Sequence, residues 1–299
     1  MRRPVTVRAL LPGDLPEVAE ILRDAFTSVY EEHGFLTPFP SLEGATWLSE
    51  TYAAMPATVA HVAELSGELV GAAFLHLRGA SASLGPVAAR PAATAGVGRA
   101  LVQSLLDVAG PRSVRLFQDA FNSESFALYS KLGFRIVEPV AYAVTDRLER
   151  GTRASAVSLA GPDDVAALLT FDRLHTGMDR SADLHDALAT GTGLLLRREG
   201  RLCGFLLCRR GAQRLVVAPA VAETAAGLCA LAADFAQRNA GHGAALRVPV
   251  GSGLGGGGQI LTTLLGLGFR IEHLGNLMVR GAYPEVPGCQ LLAIFPESL

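Results

Sequence analysis

Lysine is almost missing from this chain. Lys131 is the only one in 299 residues, so nearly every basic side chain is an arginine, a skew we read as GC-rich codon usage without functional weight. Other absences exclude whole classes of function. No basic run occurs and the formal net charge is only −2, which removes the electrostatic footprint of a nucleic-acid partner. Asp, Glu, Arg, Gly or Pro interrupts every apolar run before the roughly 18 to 20 residues of a spanning helix. The mean hydropathy of +0.32 therefore reflects Ala, Leu, Val and Gly, and no membrane is expected as a partner. After Met1-Arg2-Arg3-Pro4-Val5 come Gly13, Asp14, Pro16, Glu17 and Glu20 rather than an apolar export segment. Cys203, Cys208, Cys229 and Cys289 make no CxxC pair and have no histidine at zinc spacing, so no metal is expected. Reduced, buried thiols fit a cytoplasmic location.

What is present is a pattern that occurs twice. Val5-Thr6-Val7-Arg8, then Pro12-Gly13-Asp14, then Leu15, Val18, Ile21 and Leu22 read as strand, cap and helix. Ala156-Val157-Ser158-Leu159, Pro162-Asp163-Asp164 and Val165, Leu168, Leu169 read the same way. The turn at Gly67-Glu68-Leu69-Val70-Gly71 is echoed by Gly200-Arg201-Leu202-Cys203-Gly204, and Leu132-Gly133-Phe134-Arg135-Ile136 by Leu267-Gly268-Phe269-Arg270-Ile271. Each echo lies about 135 to 150 residues on, a period that predicts two copies of one fold. The boundaries expected are 1–147 and 153–299, with a charged, poorly periodic linker between. In the first copy the patterns predict strands near 4–9, 58–65, 69–78, 81–88, 113–118 and 134–144. Helices are expected near 14–26, 42–54, 96–109 and 122–132. The class is mixed α/β with helices on both faces of the sheet.

Two stretches of the first copy carry chemistry. Gly96-Val97-Gly98-Arg99-Ala100-Leu101 places a glycine-rich turn at a helix start, where unpaired amides and the positive helix end suit a phosphate-bearing ligand. About 25 residues on, Asn122-Ser123-Glu124-Ser125-Phe126-Ala127-Leu128-Tyr129-Ser130-Lys131-Leu132-Gly133-Phe134 reads as a short capped helix ending in a glycine before a strand. In this order the two stretches resemble the acyl-CoA binding core of the GNAT superfamily of N-acyltransferases. The resemblance implies two tandem GNAT-like domains, each a mixed, splayed, largely antiparallel sheet. In the first, the pantetheine arm of CoA would lie between the strands at Ser81 to Ala88 and Ser113 to Gln118.

By the same resemblance, acetyl-CoA is the cosubstrate, bound by Val87, Ala89, Ala95, Gly96, Val97, Gly98, Arg99, Ala100 and Asn122. Ala93 stands where the family's loop usually has Gln or Arg, and the loop is one residue short. The grip on pyrophosphate thus falls to backbone amides, with Arg99 the side chain able to compensate. Tyr129 is the expected general acid for the departing thiolate; its alternative is a packing role. Asn122 either caps its helix or reaches the pantetheine arm. For the base that deprotonates the acceptor amine, Glu64, His76 and Asp119 are candidates. None sits in a diagnostic motif, and Glu64 and His76 each read as ordinary strand residues ahead of a catalytic role. The fourth strand, Ser81 to Val87, has no carboxylate, so water relayed through backbone carbonyls is the alternative base. Tyr30 to Pro40, including His33, occupies the acceptor-loop position, where its aromatics form a pocket or a staple between helices.

The second copy lacks the Gly-x-Gly after Pro219 and has no tyrosine matching Tyr129, so CoA is not expected there. Gly251 to Gly258 lacks the Lys-Ser or Lys-Thr of a phosphate loop and reads as a flexible connection. Asp172 to Arg180, with Met278-Val279-Arg280-Gly281, is similar to the carboxy-terminal domain of bacterial tandem-GNAT proteins. There Asp179 and Arg180 form a structural ion pair, or His175, Asp179 and Arg180 contact the acceptor, as Glu64 and His33 would from the first copy. The resulting expectation is an N-acetyltransferase acting on a primary amine of a small molecule or peptide, with room for a homodimer. The rival is a non-catalytic sensor of CoA or another small ligand on the same scaffold.

Overall fold

A computed structural model describes residues 4–92, 96–211, 214–251, 256, 258–283 and 287–293. The chain forms two compact units. The first comprises Met1–Leu116, Phe121–Arg135 and Val279–Ala282; the second comprises Phe117–Ala120, Ile136–Met278 and Tyr283–Leu299.

In the first unit, β1 (Val5–Ala9), β2 (Thr58–Leu65), β3 (Glu68–Arg78) and β4 (Ser81–Ala89) run antiparallel in that order. Arg8 on β1 reaches Asp14 at 2.6 Å and Glu64 at 2.7 Å, tying the first two strands to the start of α1 (Leu15–Glu32). That helix buries Val18, Ile21 and Leu22, the three- and four-residue spacing of one helical face. It also extends past the expected end near residue 26, because Tyr30 is a further buried residue on it. Tyr30 to Glu32 are therefore its last turn and not part of a loop. Helix α2 (Leu42–Ala54) is capped by Ser41, which accepts from the Gly44 amide, and buries Leu48 and Tyr52. Next comes α3 (Val97–Ala109), whose Val97, Leu101, Leu105 and Leu106 are buried.

The last strand of this series, β5 (Ser113–Asp119), pairs parallel with β4 only where Ser81, Ala82 and Ser83 meet Ser113, Val114 and Arg115. Beyond Ser83 and Arg115 the two strands part. Helix α4 (Ser123–Lys131) follows, with Glu124 in its first turn and Lys131 in its last, both complementing the helix dipole.

The second unit repeats the plan: β7 (Val157–Leu159), α5 (Val165–Thr176), α6 (Ser181–Thr190), β8 (Thr192–Arg198), β9 (Arg201–Arg210), β10 (Leu215–Ala222), α7 (Ala225–Arg238), β11 (Ala244–Pro249), α8 (Gln259–Gly266), β12 (Arg270–Arg280) and β13 (Cys289–Leu291). Its sheet follows the order β12-β6-β11-β10-β9-β8-β7, where β6 is Arg135–Thr145. Strand β6 thus comes from the first half of the sequence, yet Val140 to Thr145 pair antiparallel with Pro249 to Ala244 of β11. The end of β5 joins the same sheet beside β12, with the Ala120 amide on the Leu274 carbonyl at 3.0 Å. The sequence repeat and the compact units are therefore different partitions of the chain. Leu206, Leu228, Leu231, Phe235, Leu246 and Ile260 form the main core of this unit.

His76 on β3 shows how the first unit handles a buried polar side chain. Its Nε2 donates to the Gly85 carbonyl at 2.9 Å, its Nδ1 meets the Thr58 hydroxyl at 2.9 Å, and Tyr52 packs edge-on against the ring. Burial pushes its pKa down from 6.5 to about 3. The unfolded chain then binds a proton that the folded chain refuses, so this group's contribution to stability is complete above about pH 6.5 and is lost as the pH falls towards 3. In His76→Gln, the slope of stability against pH in this window should be shallower by up to about 1.4 kcal/mol per pH unit. Urea unfolding at neutral pH and at about pH 4.5 measures it, and equal slopes for both proteins would contradict this assignment.

Candidate active site

The parting of β4 and β5 leaves β4 with β3 on one edge from Leu84 to Ala89 and, among the described residues, no strand on the other. Val87 and Ala89 lie on this stretch. At its far end stands the start of α3. Gly71 on β3 permits that position: a Cβ there would fall 2.8 Å from Val97 Cγ1 and 2.9 Å from Leu101 Cδ1, so only a glycine lets the first turns of α3 lie on the strand. Gly96 caps the helix at φ +119, a conformation open to glycine, and no side-chain cap bond is made. The Ala100 amide donates to the Gly96 carbonyl at 2.9 Å, so it is already used. The amides of Val97, Gly98 and Arg99 precede the first intrahelical bond and have no helical acceptor. Arg99 itself is exposed. Ala95, with Ala93 and Thr94, lies outside the described residues.

Helix α4 adjoins these amides. A Cβ on Gly98 would come 3.3 Å from Leu128 Cδ2, and Tyr129 is the next residue. The Tyr129 ring is nearly buried and stands edge-on to Phe134 at 5.8 Å. Asn122 caps the helix, its Oδ1 accepting the Ser125 amide at 3.0 Å while the Ser125 hydroxyl donates to the Asn122 carbonyl. Capping is thus a role that Asn122 performs.

Phe121, between β5 and α4, gathers an aromatic group from the other end of the unit. Phe35 stacks on it at 4.6 Å, Tyr30 meets it edge-on at 5.1 Å and His33 tilts against it at 5.1 Å. Phe39 joins through Phe26 at 5.3 Å. His33 is exposed, with Nδ1 on the Val29 carbonyl at 2.8 Å.

The three base candidates separate clearly. Glu64 holds Arg8, and both ring nitrogens of His76 are engaged. Asp119 accepts from His273 Nε2 at 3.1 Å and keeps 17% of its side chain exposed. His273 on β12 is stacked on Tyr142 at 4.8 Å, and burial raises the Tyr142 pKa. Sequence reading misses His273 because Arg270-Ile271-Glu272-His273 looks like an ordinary strand. Only the pairing of β12 with β5 brings it to Asp119.

In the second unit the equivalent features are filled from within. Strands β10 and β11 pair parallel only at Leu215-Val216 with Ala244-Ala245. Where they part, β13 enters: Leu291, Gln290 and Cys289 pair antiparallel with Ala220, Val221 and Ala222. Next to β13, the Leu292 amide bonds the Arg247 carbonyl on β11 at 3.0 Å. At the start of α7, Thr224 Oγ1 accepts the Gly227 amide at 3.1 Å. Of the loop from Gly251 to Gly258, residues 252–255 and 257 lie outside the described residues.

The Asp172 to Arg180 segment is not a loop throughout, since Asp172 to Thr176 close α5. Its ion pairs are also crossed relative to the expected Asp179–Arg180 pair. Arg180 grips Asp172 with two bonds, Nε to Oδ2 at 3.1 Å and a second to Oδ1, and both residues are buried. Asp179 instead meets Arg173 at 2.9 Å and accepts from the Ser181 hydroxyl. That hydroxyl bond and Arg173 hold the Asp179 carboxyl below its usual pKa. His175 is buried, stacked on Phe171 at 3.9 Å, with its carbonyl accepting from Gln290 of β13.

Comparison with known proteins matches each copy separately. Residues 15–134 match the model of the acetyltransferase (GNAT) family, and residues 168–282 match an acetyltransferase (GNAT) domain model. A Pyrococcus horikoshii protein assigned as an acetyltransferase is 18% identical, with a TM-score of 0.73 over 100% of this chain and 96% of its own. A GCN5-related N-acetyltransferase from Sphaerobacter thermophilus is 13% identical, with 0.63 over 96% and 99%. A tandem GNAT protein from the clavulanic acid biosynthesis pathway is 14% identical, with 0.60 over 94% and 99%. No curated protein matches the sequence.

The buried pair yields a contrast in stability. Asp172→Asn leaves Arg180 charged and buried, which should cost about 3–5 kcal/mol, whereas Asp179→Asn removes a mostly exposed pair and should cost under about 1 kcal/mol. Thermal unfolding of the two variants decides it; equal losses would refute the roles given to these pairs.

Proposed function

Because the chain belongs to the acetyltransferase (GNAT) family in both of its copies, we propose that it transfers an acetyl group from acetyl-CoA to a primary amine of a small molecule or peptide. Taking the copies as 1–147 and 153–299, the first carries the chemistry. The observation that carries this reading is the edge of β4 that no strand pairs among the described residues, leading to the amides of Val97, Gly98 and Arg99, which have no side-chain cap. A strand edge suits the amides of a pantetheine arm, and a bare helix start suits a pyrophosphate. The free cysteines, three of them buried and Cys229 half-buried, fit a cytoplasmic setting.

In the reaction the neutral amine attacks the thioester carbonyl, the C–S bond breaks, and the thiolate takes a proton. Tyr129 is the proposed donor. The amine's proton goes to water relayed through backbone carbonyls, since Glu64 already holds Arg8 and both ring nitrogens of His76 are engaged. The aromatic group around Phe121, with His33 at its exposed side, is the proposed seat of the acceptor's apolar body. Thiol release from acetyl-CoA, screened against amines, polyamines, amino acids and aminoglycosides, tests the reading. Release above background supports it. A CoA-induced thermal shift with no release against any amine would make the protein a sensor.

Two variants sharpen the test. Gly98→Asp sets a carboxylate against the proposed pyrophosphate position, displacing only the tip of Leu128, so CoA binding should collapse while the thermal midpoint holds. Tyr129→Phe should lower turnover by about 100-fold to 10,000-fold with CoA affinity little changed; unaltered turnover in a chemistry-limited assay would reduce Tyr129 to packing.

A further inference from the structure

The second unit contains a cleft of about 600 Å³ between the C-terminal end of α7 and the ends of β8, β9 and β10. Its apolar floor is formed by the exposed Leu159 and the half-buried Leu215, while Leu206 and Phe235, which also line it, belong to the core. Four arginines line it, Arg153, Arg209, Arg210 and Arg238, and no carboxylate does. Arg209 meets Asp186 at 3.0 Å and Arg238 meets Asp234. Arg153 and Arg210 have no carboxylate partner among the described residues and are exposed. Two net positive charges therefore stand over a hydrophobic floor, in a cleft of the size that small-molecule sites occupy, roughly 300 to 1,000 Å³.

We propose that this cleft binds a small organic anion with an apolar body, its acidic group held by Arg153 and Arg210 and its body lying on Leu159 and Leu215. Guanidinium forks match carboxylates and phosphates alike, while the floor rewards apolar area and rejects inorganic ions. The α7 terminus, which would repel an anion, is muted because the Asn239 amide and side chain both bond the Phe235 carbonyl, at 3.1 and 2.8 Å. Cys208 also lines the cleft, its thiol pushed up to about 12 by burial. It offers no nucleophile, so the site binds and does not react. The proposal is independent of acetyl transfer, since every residue in it belongs to the second unit.

Calorimetry on the full chain tests it, using octanoate and hexyl phosphate as probes and octan-1-ol, octylamine and inorganic phosphate as controls. At least one probe should bind with one site per chain, and each control should bind at least about tenfold more weakly, the equivalent of one lost charge-assisted bond. The Arg153→Gln, Arg210→Gln double variant should lose probe binding while keeping its thermal midpoint. Octan-1-ol or octylamine binding as well as the probes would overturn the anion, and inorganic phosphate binding as well would overturn the apolar body. An absence of binding by both probes, or undiminished binding by the double variant, would overturn the site.

Discussion

Backbone amides and carbonyls that leave a strand ladder must find another partner, and that demand arises in each copy where two parallel strands part after a few residues. Strands β10 and β11 separate beyond Val216 and Ala245, and the chain answers with β13, which pairs with β10 before Leu292 bonds β11. Strands β4 and β5 separate beyond Ser83 and Arg115 with no such strand among the described residues. The same geometric event is self-sealed in one copy and open in the other.

The helix that follows each parting obeys the same contrast. Thr224 accepts the Gly227 amide at the start of α7 with its hydroxyl, whereas Gly96 gives α3 no side-chain cap. In the proposed reading, a strand edge and a helix start are the two ends of the site for an extended, phosphorylated thioester.

Most elements of the first copy were legible because their signals are local. The alternation in β3, the apolar face of α3 and the Asn122-to-Gly133 frame of α4 each lie within one segment, and the boundaries of β2, β3 and α2 differ little from expectation. The failures are all nonlocal. Tyr30 extends α1 because it is buried in the folded unit. The crossing of Asp172 with Arg180 and Arg173 with Asp179 depends on where α5 ends and the chain turns, which adjacency along the sequence does not reveal. His273 reaches Asp119 only through the pairing of β12 with β5. Strand β13 is three residues long, too short for any periodicity, and its meaning comes entirely from the gap it enters.

The central claim is that the backbone of the first copy is available to a ligand while that of the second is already occupied by the chain itself. Hydrogen exchange of the full protein with and without CoA tests this directly. The account predicts that CoA adds protection at residues 84–89 and 97–99 and leaves 217–222 and 225–228 unchanged. Added protection at 217–222 and 225–228, or none at 84–89 and 97–99, would contradict it.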